Sequence, residues 1–176
     1  MIEFKVTSTT KELKQILALQ QENLRKSLTE EEIQTQGFVT VEHDFDTLYK
    51  MHEVHPHTIA KDGDKVIGYV LSMSKAFGDS IEVLKPMFSE FKKANITDNF
   101  MVMGQVCVAK GYRGKGVFRS LYNKMAETFS GKFTRIITEV DALNSRSLNA
   151  HKAIGFHEII EYQSKNQVWK IVAWDI

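Results

Sequence analysis

The chain is short of most features that would assign it quickly. Among its 176 residues Cys107 is the single cysteine, so no internal disulfide can form and nothing points to an oxidising compartment. No apolar run approaches the ~20 residues of a membrane-spanning helix, and the opening Met-Ile-Glu-Phe-Lys has no secretory-leader pattern. These absences lead to the expectation of a soluble cytoplasmic protein with no membrane partner. Neither sign of charge dominates: 23 Lys and Arg against 22 Asp and Glu leave +1, which excludes a strong electrostatic footprint for nucleic acid. There is no internal repeat, low-complexity tract or linker. What is present, 43% apolar and 26% charged residues, is the make-up of an ordinary globule. The length suits a single domain over residues 1–176, burying roughly 70% of its unfolded surface.

With only two prolines, Pro56 and Pro86, helices have room to form, and their start signals are legible. Ile2 to Thr7 alternates as a first strand. Thr9 with Glu12 has capping-box spacing ahead of the apolar series Leu13, Ile16, Leu17 and Leu24. Thr29 with Glu32 repeats the signal for a short acidic helix that Gly37 ends. A third helix begins near Asp44 and stops before Pro56. Thr58 to Lys61 and Lys65 to Ser74 flank Asp62-Gly63-Asp64 as a hairpin, with Gly68 marking a bulge or a close backbone approach. Residues 75–98 carry Ile81, Leu84, Phe88 and Phe91 at helical spacing, interrupted or restarted at Pro86. They read as a packed surface helix or as an insertion walling a pocket.

His52, Glu53, His55 and His57 crowd together, but Pro56 occupies the position where a helical H-E-x-x-H zinc pair needs its spacing. They read as polar residues at a helix end and a strand start, and no metal is expected.

The stretch Gln105 to Leu121 reads as a buried strand, a glycine turn and the start of a helix. Gly111, Gly114 and Gly116 free the backbone so that successive N–H groups can converge on an anion at the helix's positive end, with Arg113 and Lys115 adding charge. It is not a phosphate loop of the Walker type, because Gly116 follows Gly114-Lys115 where Ser or Thr is required. The dinucleotide finger G-x-G-x-x-G fails at Arg119, and the motif stands mid-chain rather than after a first strand. Further on, Thr134 to Val140 is another buried strand. Asn144 caps the following helix and Gly155 stops it. At 100° per residue Asn144, Ser147 and His151 fall within about 60° of one another, a polar stripe facing solvent or a ligand. Strands Glu158 to Tyr162 and Val168 to Trp174 close the chain, with Trp169, Ile171 and Ala173 on one face.

Both stretches resemble the GNAT superfamily of acyl-coenzyme A dependent N-acyltransferases. Arg113 and Gly116 fit the first and fourth positions of its coenzyme A loop, [Arg/Gln]-x-x-Gly-x-[Gly/Ala], and Val108 and Tyr112 fit the approach to it. Lys110 and Phe118 depart from the usual proline and small residue. Asn144, Ser147, Gly155 and Phe156 match Asn-x-x-[Ala/Ser]-x-x-x-Tyr-x-x-x-Gly-Phe in register, with His151 at the tyrosine. The resemblance implies an α+β fold, a mixed, mostly antiparallel central sheet of about seven strands flanked by helices, with two central strands splayed. It implies acetyl-coenzyme A as cosubstrate. The cofactor would be held by Val106, Cys107 and Val108, by the loop Arg113, Gly114, Lys115, Gly116, Val117 and Phe118, and by Asn144 and Ser147. Backbone amides around Cys107 and Val108 would polarise the thioester carbonyl.

Direct transfer to a primary amine needs a base, for which the resemblance offers Glu139, a residue otherwise read as a salt-bridged or solvent-facing strand position. His151 would serve where relatives have their acid, although a histidine titrates near 6.5 and a tyrosine near 10. The acceptor is an amine-bearing small molecule or peptide. A non-catalytic acyl-coenzyme A sensor of the same fold is the alternative, a homodimer is left open, and Cys107 reads as a small buried hydrophobe rather than an acyl carrier.

Overall fold

The computed structural model describes residues 1–176. Seven strands form one sheet: β1 (Ile2–Val6), β2 (Thr58–Asp62), β3 (Lys65–Met73), β4 (Phe100–Val108), β5 (Arg135–Asp141), β6 (His157–Ser164) and β7 (Gln167–Asp175). The spatial order is β1-β2-β3-β4-β5-β7-β6, and β4 with β5 is the one parallel pair. Six helices accompany it: α1 (Thr10–Asn23), α2 (Glu30–Gln36), α3 (Phe45–Val54), α4 (Lys85–Lys93), α5 (Val117–Phe129) and α6 (Ser145–Ile154). The expected mixed, mostly antiparallel sheet flanked by helices is the architecture found. No helix is long and apolar enough to cross a membrane.

The helix starts follow from the capping residues. Thr9 and Thr29 each accept the N–H three residues on, while Glu12 and Glu32 accept the cap residue's own N–H, so orphan donors at both ends of each box are satisfied. Asp44 caps α3 by accepting the Thr47 N–H. Pro86 starts α4 rather than breaking it, since the first turn of a helix has no partner for the N–H that proline lacks.

Strand β3 is buried on both faces. Tyr69 and Leu71 join Leu13 and Ile16 of α1 in one core, while Ile67 and Val70 join Leu121 and Met125 of α5 in another. A third core gathers Leu84, Met87 and Phe91 against Val102, Ile137 and Ile171. The β2–β3 register shifts beside Ala60, and α5 passes close above Gly68, where an added Cβ would meet Leu121 Cδ1 at 3.1 Å. That close approach brings the start of α5 to the end of β4.

The feature that makes a site is a separation of the two central strands. β4 and β5 pair only from Phe100↔Arg135 to Val102↔Ile137, and each then continues without the other. The cause lies on the opposite edge of β4. Ser72↔Met103 is followed by Val70↔Val106, so β4 carries one extra residue there, a bulge that bends the strand.

Glu12 shows what holds the first helix to the sheet. Its buried carboxylate accepts from Lys5 Nζ at 2.9 Å, Lys61 Nζ at 3.4 Å and the Ser8 N–H at 2.8 Å. Burial alone would raise its pKa, but the Lys5, Ser8 and Lys61 contacts outweigh it and lower the group from 4.5 to about 2. A depressed folded value means stability that is present above the unfolded value and lost as pH falls toward 2. We expect Glu12→Gln to cost about 2 to 3 kcal/mol in urea unfolding at pH 7, with the difference from wild type vanishing near pH 2.

Candidate functional site

Where β4 leaves β5, a cleft of about 720 Å³ opens. One wall is Val106 to Val108 with the turn to Gly116, the other is Asn144 to Ser147 at the start of α6, and the segment Gln36 to Val39 roofs it. Arg113, Arg119 and Arg146 line this cleft, and no Asp or Glu does. Its charge therefore suits a polyanion.

The floor is the glycine turn. Gly114 and Gly116 have φ of +73° and +79°, left-handed values that a side chain would strain, and Gly116 sits immediately before α5. No side chain caps α5, so its first-turn N–H groups carry the positive end of a 13-residue helix into the cleft. A Cβ built on Gly111, Gly114 or Gly116 would meet no atom within 4 Å, so the space above the turn is open for a ligand that approaches the backbone. Phe118 does not fill that space entirely. Its ring packs 5.2 Å from Tyr122 and 5.2 Å from His151, which turns its bulk toward the core.

Arg113 is placed differently from a free anion ligand. Its Nε donates to the Val108 carbonyl at 2.8 Å, and its two terminal nitrogens donate to Asn23 Oδ1 at 2.5 Å and to Gln36 at 3.3 Å. It braces the ends of α1 and α2 against β4. Lys115 is exposed over the Tyr112 ring, and Tyr112 donates to Asp62 at 2.8 Å. Lys110, at the position usually held by proline, pairs with Glu32 of α2.

Strand alternation decides which amides face the gap. Ala109 N–H donates to the Ile67 carbonyl, so Cys107, opposite Tyr69, belongs to the hydrogen-bonded set directed at β3. Val106 and Val108 point their N–H groups the other way. The Cys107 thiol is buried, and that burial pushes it up to about 12, consistent with an inert hydrophobe.

Across the gap, Asn144 is tied twice. Its Oδ1 accepts the Ser147 N–H at 3.2 Å and its Nδ2 donates to the Phe38 carbonyl at 3.1 Å. The polar stripe does not face solvent: Asn144 and His151 are buried and Ser147 is half-buried. His151 Nδ1 lies 2.7 Å from the Ser147 carbonyl, which can only accept, so the ring proton is on Nδ1. Nε2 then accepts from the Tyr122 hydroxyl at 2.6 Å. Burial lowers its pKa to about 4, so the ring is neutral at pH 7 and both nitrogens are engaged. Donating a proton to a leaving group would first require breaking the bond to Ser147.

A smaller pocket, about 80 Å³, adjoins the cleft. The two share Phe38, Val39, Val106, Asn144 and Ser147, so they meet between the splayed strands. Glu139 lines the small pocket and accepts from the Tyr162 hydroxyl of β6. Burial raises its pKa to about 7, with the Tyr162 hydrogen bond lowering it only in part. The insertion between β3 and β4 contributes Val83, Leu84 and Met87, so of its two sequence readings the pocket wall is realised together with core packing.

The histidines near Pro56 go to separate partners. His52 Nδ1 meets Thr7 Oγ1, His57 sits between the Leu48 carbonyl and the Ser72 N–H, and His55 packs edge-on to Phe129 and Phe133.

Sequence reading missed Tyr162, Phe38, Asn23 and Gln36, whose roles depend on contacts between distant segments and leave no local signal. Arg119 and Arg146 lay within the recognised stretches, but their types alone read as surface charge.

Residues 15–156 match the Acetyltransferase (GNAT) family, and the chain belongs to that family. It is an acyltransferase of the N-acetyltransferase kind. No curated protein matches it in sequence. The fold is shared with a mosquito arylalkylamine N-acetyltransferase like 5b, at TM-score 0.71 and 15% identity over all of both chains. It is also shared with the ribosomal-protein-S18-alanine N-acetyltransferase of Escherichia coli, at TM-score 0.67 and 13% identity over 100% of this chain and 94% of that one. A chain of the NatC complex bound to Gag peptide and CoA superposes at TM-score 0.67 and 15% identity, covering 99% and 98%.

The His151–Tyr122 pair yields a stability test. His151→Phe leaves the Tyr122 hydroxyl buried without its partner, and we expect a loss of about 1 to 3 kcal/mol in denaturant unfolding at pH 7. Adding Tyr122→Phe should recover much of it.

Proposed function

We propose that residues 1–176 act as one N-acetyltransferase domain that moves an acetyl group from acetyl-coenzyme A to a primary amine by direct transfer. The observation that carries the reading is the junction of two unlike cavities. One is lined by arginines and a bare helix start, the other mixes apolar side chains with two carboxyls, Asp141 held by its own partners and Glu139 half neutral, and they meet between the splayed strands.

The diphosphate of the donor fits the glycine turn and the start of α5, where open space above Gly114 and Gly116 admits it to the backbone. Gly114, Lys115, Gly116, Val117 and Phe118 would supply that cradle, Arg119 and Arg146 the charge, and Arg113 the brace that keeps it in shape. Val106, Cys107 and Val108 would flank the pantetheine arm, opposite Asn144 and Ser147. The Val106 and Val108 amides are oriented to polarise the thioester carbonyl.

Glu139 takes a proton from the acceptor ammonium. The freed nitrogen lone pair attacks the thioester carbon, the carbon–sulfur bond breaks as the carbonyl re-forms, and the second nitrogen proton passes to sulfur through water. The products are the amide and free coenzyme A, with Glu139 returning its proton to solvent. A pKa of about 7 suits this duty, since the base is then half ionised at working pH. His151 acts as a positioning group, holding Ser147 and Tyr122. The protein is proposed to be cytoplasmic and to need no metal.

The test is a pH profile. Turnover should rise through about pH 7 with an acid limb that Glu139→Gln abolishes while lowering kcat by about 10² to 10⁴-fold. Because the folded pKa is raised, the neutral form is the one the fold favours, and stability falls as pH rises from about 4.5 to about 7. Glu139→Gln should therefore unfold at a higher temperature than wild type at pH 8. His151→Phe should lower kcat by less than about 100-fold. Coenzyme A binding without turnover against a broad amine panel would favour the sensor reading instead.

A further inference from the structure

We infer that the acceptor is a small monoamine with a compact apolar arm, and that Leu84 and Met87 set the length of that arm. This rests on the acetyl-transfer reading above and narrows it. Glu139 and Asp141 are the only ionic side chains of the small pocket, and no Lys or Arg reaches it. Asp141 is already committed. Its Oδ1 accepts the Leu143 N–H at 2.9 Å, its Oδ2 accepts from Gln167 at 2.5 Å, and Arg25 stands 3.8 Å away. Glu139 is left as the one carboxylate for one ammonium.

The amides and the imidazole are committed too, and only the short hydroxyls of Thr40 and Thr138 have no such partner. Gln105 accepts from Tyr69 at 2.6 Å and donates to the Val41 carbonyl at 2.7 Å, while both ends of the Asn144 amide and both His151 nitrogens have partners. An acceptor rich in hydroxyls or amides would lose its water and gain little in return. A polyamine would bring a second cation, and a free amino acid would bring a carboxylate, to a surface with no counter-charge.

The apolar part of the wall is Val83, Leu84 and Met87 from the insertion, Val102 and Met103 from β4, and Trp169 from β7, with Thr40, Thr138 and Ser147 adding three hydroxyls. At about 80 Å³, against roughly 10 to 15 Å³ for one water, the space takes only a handful of non-hydrogen atoms. Met87 is buried and held by the third core, so this limit is built into the fold rather than set by a loose side chain. Val83 is 40% exposed and forms the rim.

The experiment measures kcat/KM with saturating acetyl-coenzyme A for a series of n-alkylamines and phenethylamine, against spermidine, glycine and a peptide with a free α-amine. Apolar monoamines should lead spermidine and glycine by 100-fold or more. Each added methylene should gain about fourfold until the pocket is full. Met87→Ala should move that length limit upward, and Val83→Phe at the rim, which leaves the core untouched, should move it downward. Preference for the polyamine, the amino acid or the peptide would overturn the inference. So would an unchanged length limit in both variants, or no turnover of any amine by protein that binds coenzyme A. A parallel thermal shift separates the two failures. Turnover with the wrong acceptor preference sinks only the inference, whereas no stabilisation by coenzyme A, or stabilisation with no turnover of any amine, sinks the transfer reading beneath it.

Discussion

Everything functional in this molecule depends on β4 and β5 being unable to stay paired. Parallel strands buried at the centre of a sheet normally satisfy every backbone group against each other, and an unpaired buried N–H or C=O is costly. Here the bulge between Met103 and Val106 bends β4 after three paired residues, and the freed backbone is left facing a gap. The sheet remains one structure because β4 is held on its other edge by β3, and β5 by β7. A ligand entering the gap therefore meets amides that are prearranged and lack a strand partner.

The two cavities on either side of that gap differ in the way the halves of the reaction differ. On the proposed reading the donor's phosphates enter a cleft that has cations, a helix start and no carboxylate. The acceptor, which must lose a proton, would meet Glu139, a carboxyl whose burial holds it close to neutral pH. Desolvation would thus do two jobs at Glu139 in the proposed reaction: it tunes the carboxyl toward a base for neutral pH, and it makes the pocket inhospitable to any charge other than the one to be neutralised.

Much of this was legible in the sequence, and for identifiable reasons. The capping boxes at Thr9 and Thr29, the Asp62-Gly63-Asp64 hairpin and the Gly114 to Gly116 turn are local signals, decided by residues within a turn of one another, and each led to the element found. The motif segments at residues 105–121 and 139–156 pointed to the cleft because the chemistry of an anion cradle is also local. What was not legible is long-range. Nothing near Arg113 reveals that its guanidinium is spent on Asn23, Gln36 and Val108, and nothing near His151 reveals that Tyr122 and Ser147 occupy both nitrogens. Helical spacing put Asn144, Ser147 and His151 on one stripe, but could not say that the stripe is buried. The raised pKa of Glu139 required knowing that Tyr162 and the pocket walls exclude water from it.

The Arg113 brace also determines how the cleft can open. The roof, residues 24–43, touches the cleft walls through polar ties: Arg113 to Gln36, Lys110 to Glu32, Asn144 to the Phe38 carbonyl and Gln105 to the Val41 carbonyl. None of these is a rung of the β-ladder. Lifting the roof thus breaks side-chain bonds that water can replace, but it also draws Leu24 and Val39 out of the core they share with Cys107. The entrance is therefore held partly by charge, which ions in solution screen, and partly by apolar packing, which they leave intact.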